Sequence, residues 1–242
     1  MNEPAADTTP PAPLSQRQRR ILGVLMEKAR TTPDAYPLTL NGLVTGCNQK
    51  SNRHPLLDLT AEQVEDELEK MRAAGLVAEV QGSGRVPKYR HFGYDYMKVK
   101  GVEAAVMTEL LLRGEQTAGE LRTRASRFEA IADLQTLQNV LDALMARGLV
   151  IPLSPPGRGQ LITHNLYQPE ELARLQQAAR QRPVADGDSP PTGASRGAGS
   201  ELERGAPPVA RHQDPPPQWQ SQLEELRQEV ELLKARVAQL ES

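Results

Sequence analysis

The stretch from Thr60 to Val77 reads TAEQVEDELEKMRAAGLV, and seventy-three positions later Asp133 to Val150 reads DLQTLQNVLDALMARGLV. Val64, Leu68 and Met71 correspond to Leu137, Leu141 and Leu144, and Gly75-Leu76-Val77 corresponds to Gly148-Leu149-Val150. Both copies therefore carry one apolar helical face, a glycine stop and an apolar strand start. A self-similarity of this kind divides the chain into two versions of one small domain.

Working outward from the first copy, Ser15 with Gln18 forms a capping pair, and Ile21, Leu22, Val24 and Leu25 give a helix from Gln16 to about Ala29 its apolar stripe. Tyr36-Pro37-Leu38-Thr39 reads as extended, because the residue before a proline is pushed out of helical geometry. Leu40, Leu43, Val44 and Cys47 recur at helical spacing, and Asn48 to Pro55 reads as an exposed loop. Thr60 with Gln63 caps the long third helix. Leu76 to Val80 and Val86 to Phe92 alternate with period two around Gln81-Gly82-Ser83-Gly84-Arg85, a hairpin pattern in which Pro87 suits an edge strand. Three helices and a hairpin are the winged-helix arrangement.

The second copy repeats the order: a helix from Val102 to Arg113, a Thr117 to Glu120 capping pair, the long helix, and strands at Leu149 to Leu153 and Leu161 to Tyr167. Its loop before the long helix is about five residues shorter. The extra length of the first copy is the run NQKSNRHP. A helical extension, roughly Pro169 to Arg180, follows.

The expected fold class is mainly α with small β-wings. Its parts are a disordered leader (1–13), two tandem winged-helix domains (14–98 and 99–180, the latter with the extension), a disordered Pro/Gly/Ala-rich linker (181–217) and a C-terminal coiled-coil helix (218–242). In the last segment Leu223, Val230 and Val237 fall at a and Leu226, Leu233 and Leu240 at d. β-branched residues at a with Leu at d predict a weak, parallel homodimer of about three heptads.

Composition narrows the function classes. Aromatics are 3% of the 242 residues, so the core is built from aliphatic side chains. A net charge of -2 gives no global attraction to nucleic acid or membrane. Cys47 is the only cysteine, which excludes an intrachain disulfide framework and a cysteine-rich zinc site and fits a reducing cytoplasm. The start, MNEPAADTTPPAP, lacks the pattern of a secretory signal, and no segment reads as a membrane span.

No catalytic constellation, metal-ligand spacing or cofactor motif emerges. His54, His91, His164 and His212 are scattered, and Cys47 reads as a buried structural thiol. We expect no catalytic residue, no metal and no cofactor. The long helix of the first copy carries Glu62, Glu65, Asp66, Glu67 and Glu69, which makes it a poor reading head for DNA. Positive charge lies instead at Arg17, Arg19 and Arg20, in the loop, on the first hairpin and before the second long helix. Non-specific contact with duplex DNA is accordingly assigned to Lys50, Arg53, Arg85, Lys88 and Arg90. The alternative is an adaptor whose winged helices and coil bind protein partners.

The runs Glu27-Lys28, Thr31-Thr32-Pro33-Asp34-Ala35-Tyr36-Pro37-Leu38, Cys47-Asn48-Gln49-Lys50-Ser51-Asn52-Arg53 and Leu110-Leu111-Leu112-Arg113-Gly114, followed by Thr117 and Gly119-Glu120-Leu121-Arg122, resemble the YceH family of bacterial proteins. The resemblance covers about residues 14–167. It implies a tandem winged-helix body in a bacterial cytoplasm and carries no established activity. The linker and heptad tail depart from the shorter family pattern.

Overall fold

A computed structural model describes residues 11–81, 86–157 and 159–181. The tip of the first hairpin with Arg85, the leader up to Pro10, the linker beyond Gln181 and the heptad seam lie outside the described residues. The described residues all belong to one compact unit.

The described chain is mainly helical, with eight α-helices and two small antiparallel sheets. In order it runs α1 (Gln16–Thr31), a 3-10 turn (Pro33–Ala35), β1 (Leu38–Thr39), α2 (Leu40–Cys47), α3 (Ala61–Ala73), β2 (Val77–Val80) and β3 (Lys88–His91). A short connector α4 (Gly93–Met97) leads to α5 (Gly101–Arg113), β4 (Gln116–Thr117), α6 (Ala118–Ala125), α7 (Leu134–Ala146), β5 (Val150–Pro152), β6 (Leu161–His164) and α8 (Pro169–Gln181). Helix, strand, two helices and two strands thus occur twice in succession.

Local chemistry places the ends of these elements. Ser15, Thr60 and Thr117 each accept from the backbone N–H three residues on, while Gln18, Gln63 and Glu120 reach back to complete the capping boxes. Asp133 caps α7 through Thr136. α3 and α7 both end at a left-handed glycine, Gly75 at φ 70 and Gly148 at φ 68. Leu76 N–H then donates to Met71 O at 2.8 Å and Leu149 N–H to Leu144 O at 2.9 Å. These bonds satisfy carbonyls the helix ends would otherwise orphan, and they turn the chain into β2 and β5.

The sheets have orders β1-β3-β2 and β4-β6-β5. Leu38 pairs with Tyr89 and Val77 with His91, and in the second sheet Gln116 pairs with Ile162 and Val150 with His164. β3 is the central strand, which corrects the expectation of an edge strand there. Pro87 lies just before it, a position where a missing N–H costs no ladder bond.

α1 and α5 are buried continuously from Arg19 to Glu27 and from Ala104 to Leu112. A helix buried all round is interior, so both exceed the one-sided stripe that the apolar spacing implies. They pack directly on each other. A Cβ placed on Gly23 of α1 would come within 3.0 Å of Leu112 on α5, a contact only a glycine leaves comfortable. One contiguous apolar cluster consequently runs through both copies, from Leu22 and Leu68 to Leu110 and Leu141. Leu14 N–H, donating to Leu166 O at 2.9 Å, ties the segment before α1 to the chain just beyond β6.

The spacing of seventy-three persists in a pair the apolar pattern does not mark. His91 and His164 end β3 and β6, and each imidazole Nδ1 accepts from the backbone N–H two residues on, Gly93 at 3.1 Å and Leu166 at 3.2 Å. Each ring also packs on a tyrosine three residues later, Tyr94 at 4.6 Å and Tyr167 at 4.1 Å between centroids. Burial pushes His91 down to about 4, and fully buried His164 also falls well below the ordinary range. Both histidines are therefore neutral in the folded chain near neutral pH. An unfolded histidine titrates near pH ~6.5. Their contribution to stability is present above that value and declines as pH falls toward about 4, where folded His91 takes its proton. Urea midpoints measured across this range should fall less steeply for His91→Gln and His164→Gln than for the parent chain; equal slopes would refute the assignment.

Candidate functional site

The loop joining α2 to α3 does not present all of its polar groups to solvent. Lys50, Ser51, Asn52 and His54 are exposed, but the Arg53 side chain is completely buried. All five of its N–H donors are used. Nε donates to Gly46 O at 2.9 Å, Nη1 to Asn52 O at 2.8 Å and Glu27 Oε1 at 3.3 Å, and Nη2 to Gln49 Oε1 at 2.7 Å and to Glu27 Oε2. This corrects the assignment of Arg53 to a DNA backbone: its guanidinium is enclosed by its own chain.

Glu27 and Arg53 form one side of a closed ring of polar contacts. Arg127 pairs with Glu27 Oε1 at 3.1 Å and, through its other terminal nitrogen, with Glu109 Oε2 at 3.1 Å. Glu109 Oε1 meets Arg113 Nε at 3.0 Å, an ion pair without hydrogen-bond alignment. Arg113 then donates to Asn52 Oδ1, and Asn52 O accepts from Arg53. Asn52 reaches both partners from a left-handed backbone, φ 57, which asparagine tolerates better than most residues. Glu27 lies on α1, Glu109 and Arg113 on α5, and Arg127 just beyond α6, so the ring spans both copies. Burial pushes the Glu109 carboxyl up, and Arg127 and Arg113 act against that shift.

Most other arginines are likewise turned inward or paired. Arg19 donates to Leu14 O at 2.6 Å, pairs with Glu171 of α8 and stacks over Tyr167. Arg20 binds the carbonyls of Cys47 and Pro55. Arg122 donates to Ala132 O at 3.0 Å, Arg124 pairs with Glu120, Arg30 with Glu129 and Arg147 with Glu103. The expectation of surface charge at Arg19 and Arg20 is corrected, because both are almost wholly buried. Of the remaining DNA candidates, Lys50 and Arg90 are exposed and Lys88 is half-buried; Arg90 stacks on Phe92 at 4.7 Å.

The two long helices show different faces. On α3, Glu62, Glu65, Asp66 and Glu69 are exposed, whereas Glu67 is buried beside Ser15 and Lys70. Arg72 pairs with Glu79 at 2.8 Å. On α7, Leu134, Gln135, Gln138, Asn139 and Asp142 are exposed. Cys47 is buried, and desolvation pushes its thiol up to about 12, which keeps it protonated near neutral pH. Among the described residues no group of three His, Cys, Asp or Glu is placed to hold a metal, and no helix is long and apolar enough to cross a membrane.

The model of the family described as "Protein of unknown function, DUF480" matches residues 14–158, more than half of the chain. A UPF0502 protein of Rhodopirellula baltica is 54% identical over 178 residues, covering 72% of this chain and 75% of the relative. A UPF0502 protein of Geotalea daltonii is 43% identical over 183 residues, covering 72% and 84%. A third, from Paracidovorax citrulli, is 40% identical over 180 residues, covering 70% and 76%.

Removing one member of a buried ion pair leaves the other charge uncompensated and costs about 3–5 kcal/mol. Arg53→Met should lower stability by about that amount in urea unfolding. Arg53→Lys should restore little, since an ammonium has three donors where five are engaged. A loss below about 1 kcal/mol for Arg53→Met would show that solvent replaces the ring.

Proposed function

The chain belongs to the DUF480 family of proteins of unknown function, whose relatives here bear the name UPF0502, and from that premise we propose a non-enzymatic regulatory adaptor built on two winged-helix repeats. The repeated helix-strand-helix-helix-strand-strand order supports the winged-helix reading. The sequence resemblance to the YceH family and a cytoplasmic location belong to the same proposal, as does a weak parallel homodimer through the C-terminal heptads.

The observation that carries the adaptor reading is the exposed face of α3. In a winged helix the third helix is the element offered to a partner. Here it offers Glu62, Glu65, Asp66 and Glu69, while Lys70 and Arg72 are paired with Glu67 and Glu79. Carboxylates on that face repel a phosphate backbone and complement a basic protein surface. The inward commitment of most of the described arginines adds to this, because it leaves few cations, Lys50, Lys88 and Arg90 among them, for the counterion release that DNA binding requires.

One observation favours DNA as a second reading. The exposed face of α7 carries Gln135, Gln138 and Asn139, side chains suited to base edges, with Asp142 as its carboxylate. Backbone contacts would then come from Lys50, Lys88 and Arg90.

Crosslinking in the native cell separates the two readings when paired with a salt titration on random duplex DNA. The adaptor reading expects protein crosslinks that disappear with Glu62→Lys, Glu65→Lys and Asp66→Lys combined, and no DNA binding at low salt. Salt-dependent duplex binding that weakens with Lys88→Ala and Arg90→Ala would overturn it in favour of the second reading.

A further inference from the structure

A cavity of about 220 Å³ opens beside the charged ring, where α1, the α2–α3 loop, the end of α5, the end of β6 and α8 meet. Its wall includes Arg20, which is only 2% exposed. The hydrogen-bond partners of Arg20 are carbonyls, Cys47 O at 2.9 Å and Pro55 O at 2.6 Å, and its Nε has none among the described residues. The carboxylate that acts on it electrostatically, Glu27, is committed to Arg53 and Arg127. Burial first, and Arg53 second, bring Arg20 down to about 10, so it remains charged near neutral pH.

A buried charge is ordinarily paired, because its desolvation is costly. Among the described buried arginines Arg20 is the exception: Arg19 has Glu171 and Arg53 has Glu27. The same wall carries Arg113, whose pKa is likewise lowered by burial, and the exposed imidazole of His54. We infer that this cavity binds a small carboxylate monoanion, which supplies the counter-charge that Arg20 lacks.

The other walls refine the class. Glu115 and Glu171 also line the space, and although Glu171 is paired with Arg19 of the same wall, the two carboxylates disfavour a dianion relative to a monoanion. Leu111, Leu175 and the ring of Tyr167 accommodate a short apolar body beside the carboxylate. The volume lies below the roughly 300 Å³ at which drug-sized sites begin, so the molecule is small. Because the wall draws on both copies and on α8, an occupant holds these elements together.

The test uses the full chain and sodium butyrate, a carboxylate with a short alkyl tail, followed by amide chemical shifts in heteronuclear NMR. Sodium chloride at equal ionic strength and inorganic phosphate serve as comparisons. We expect saturable shifts around Arg20, His54 and Arg113 with butyrate, absent with chloride and weaker with phosphate. His54→Glu, which changes an exposed side chain and places a carboxylate at the cavity, should weaken butyrate binding at least tenfold. Absence of saturable shifts, equal shifts with chloride, or unchanged binding in His54→Glu would overturn the site. Tighter binding of phosphate than of butyrate would overturn the carboxylate assignment.

Discussion

The closed ring through Glu27, Arg53, Asn52, Arg113, Glu109 and Arg127 is the constraint on which the arrangement of the two copies depends. Apolar packing of α1 on α5 supplies attraction between them, but aliphatic surfaces tolerate many rotations and slips. A ring of directional contacts tolerates few, and it makes any misalignment expose a buried charge. It also explains the longer α2–α3 loop of the first copy. That loop reaches back over α1 to place Arg53 on Glu27 and across to α5 to place Asn52 on Arg113.

The run Cys47 to Arg53, which carries part of the family resemblance, is thereby absorbed into structure. Cys47 and Gly46 offer carbonyls to Arg20 and Arg53, Asn48 brackets Leu59 with two bonds of 2.8 Å, and Gln49 and Asn52 complete the shell of Arg53. Each polar residue in the run except Lys50 and Ser51 has a defined internal partner. Specificity of sequence here reflects a fully satisfied polar network, and such networks lose most when any one member is replaced.

Helix ends and the two hairpins were legible because their causes are local. Ser15, Thr60, Thr117, Gly75 and Gly148 act within a few residues of themselves, and the spacing of seventy-three carries the sheet pairing of Val77 and Val150 into register with His91 and His164. The destination of the arginines was not legible. Arg53 meets a carboxylate twenty-six positions away and Arg30 one ninety-nine positions away, and periodicity records nothing about such partners. A charged residue also reads as surface in any apolar pattern, and Arg19, Arg20, Arg53 and Glu67 are buried against that rule. The connector α4 is five residues long and has no counterpart between the second sheet and α8, so no repeat signal marked it. The cavity wall, drawn from five separated segments, has no sequence signature at all.

If the ring makes the two copies one cooperative unit, damage on one side must be felt on the other. Native-state hydrogen exchange, read separately for amides of α3 and of α7, measures this directly in the parent chain and in Arg53→Met. The expected result is an equal fall in opening free energy for both helices, although Arg53 and Glu27 lie in the first copy. A fall confined to α3, with α7 exchanging as in the parent chain, would contradict the coupling.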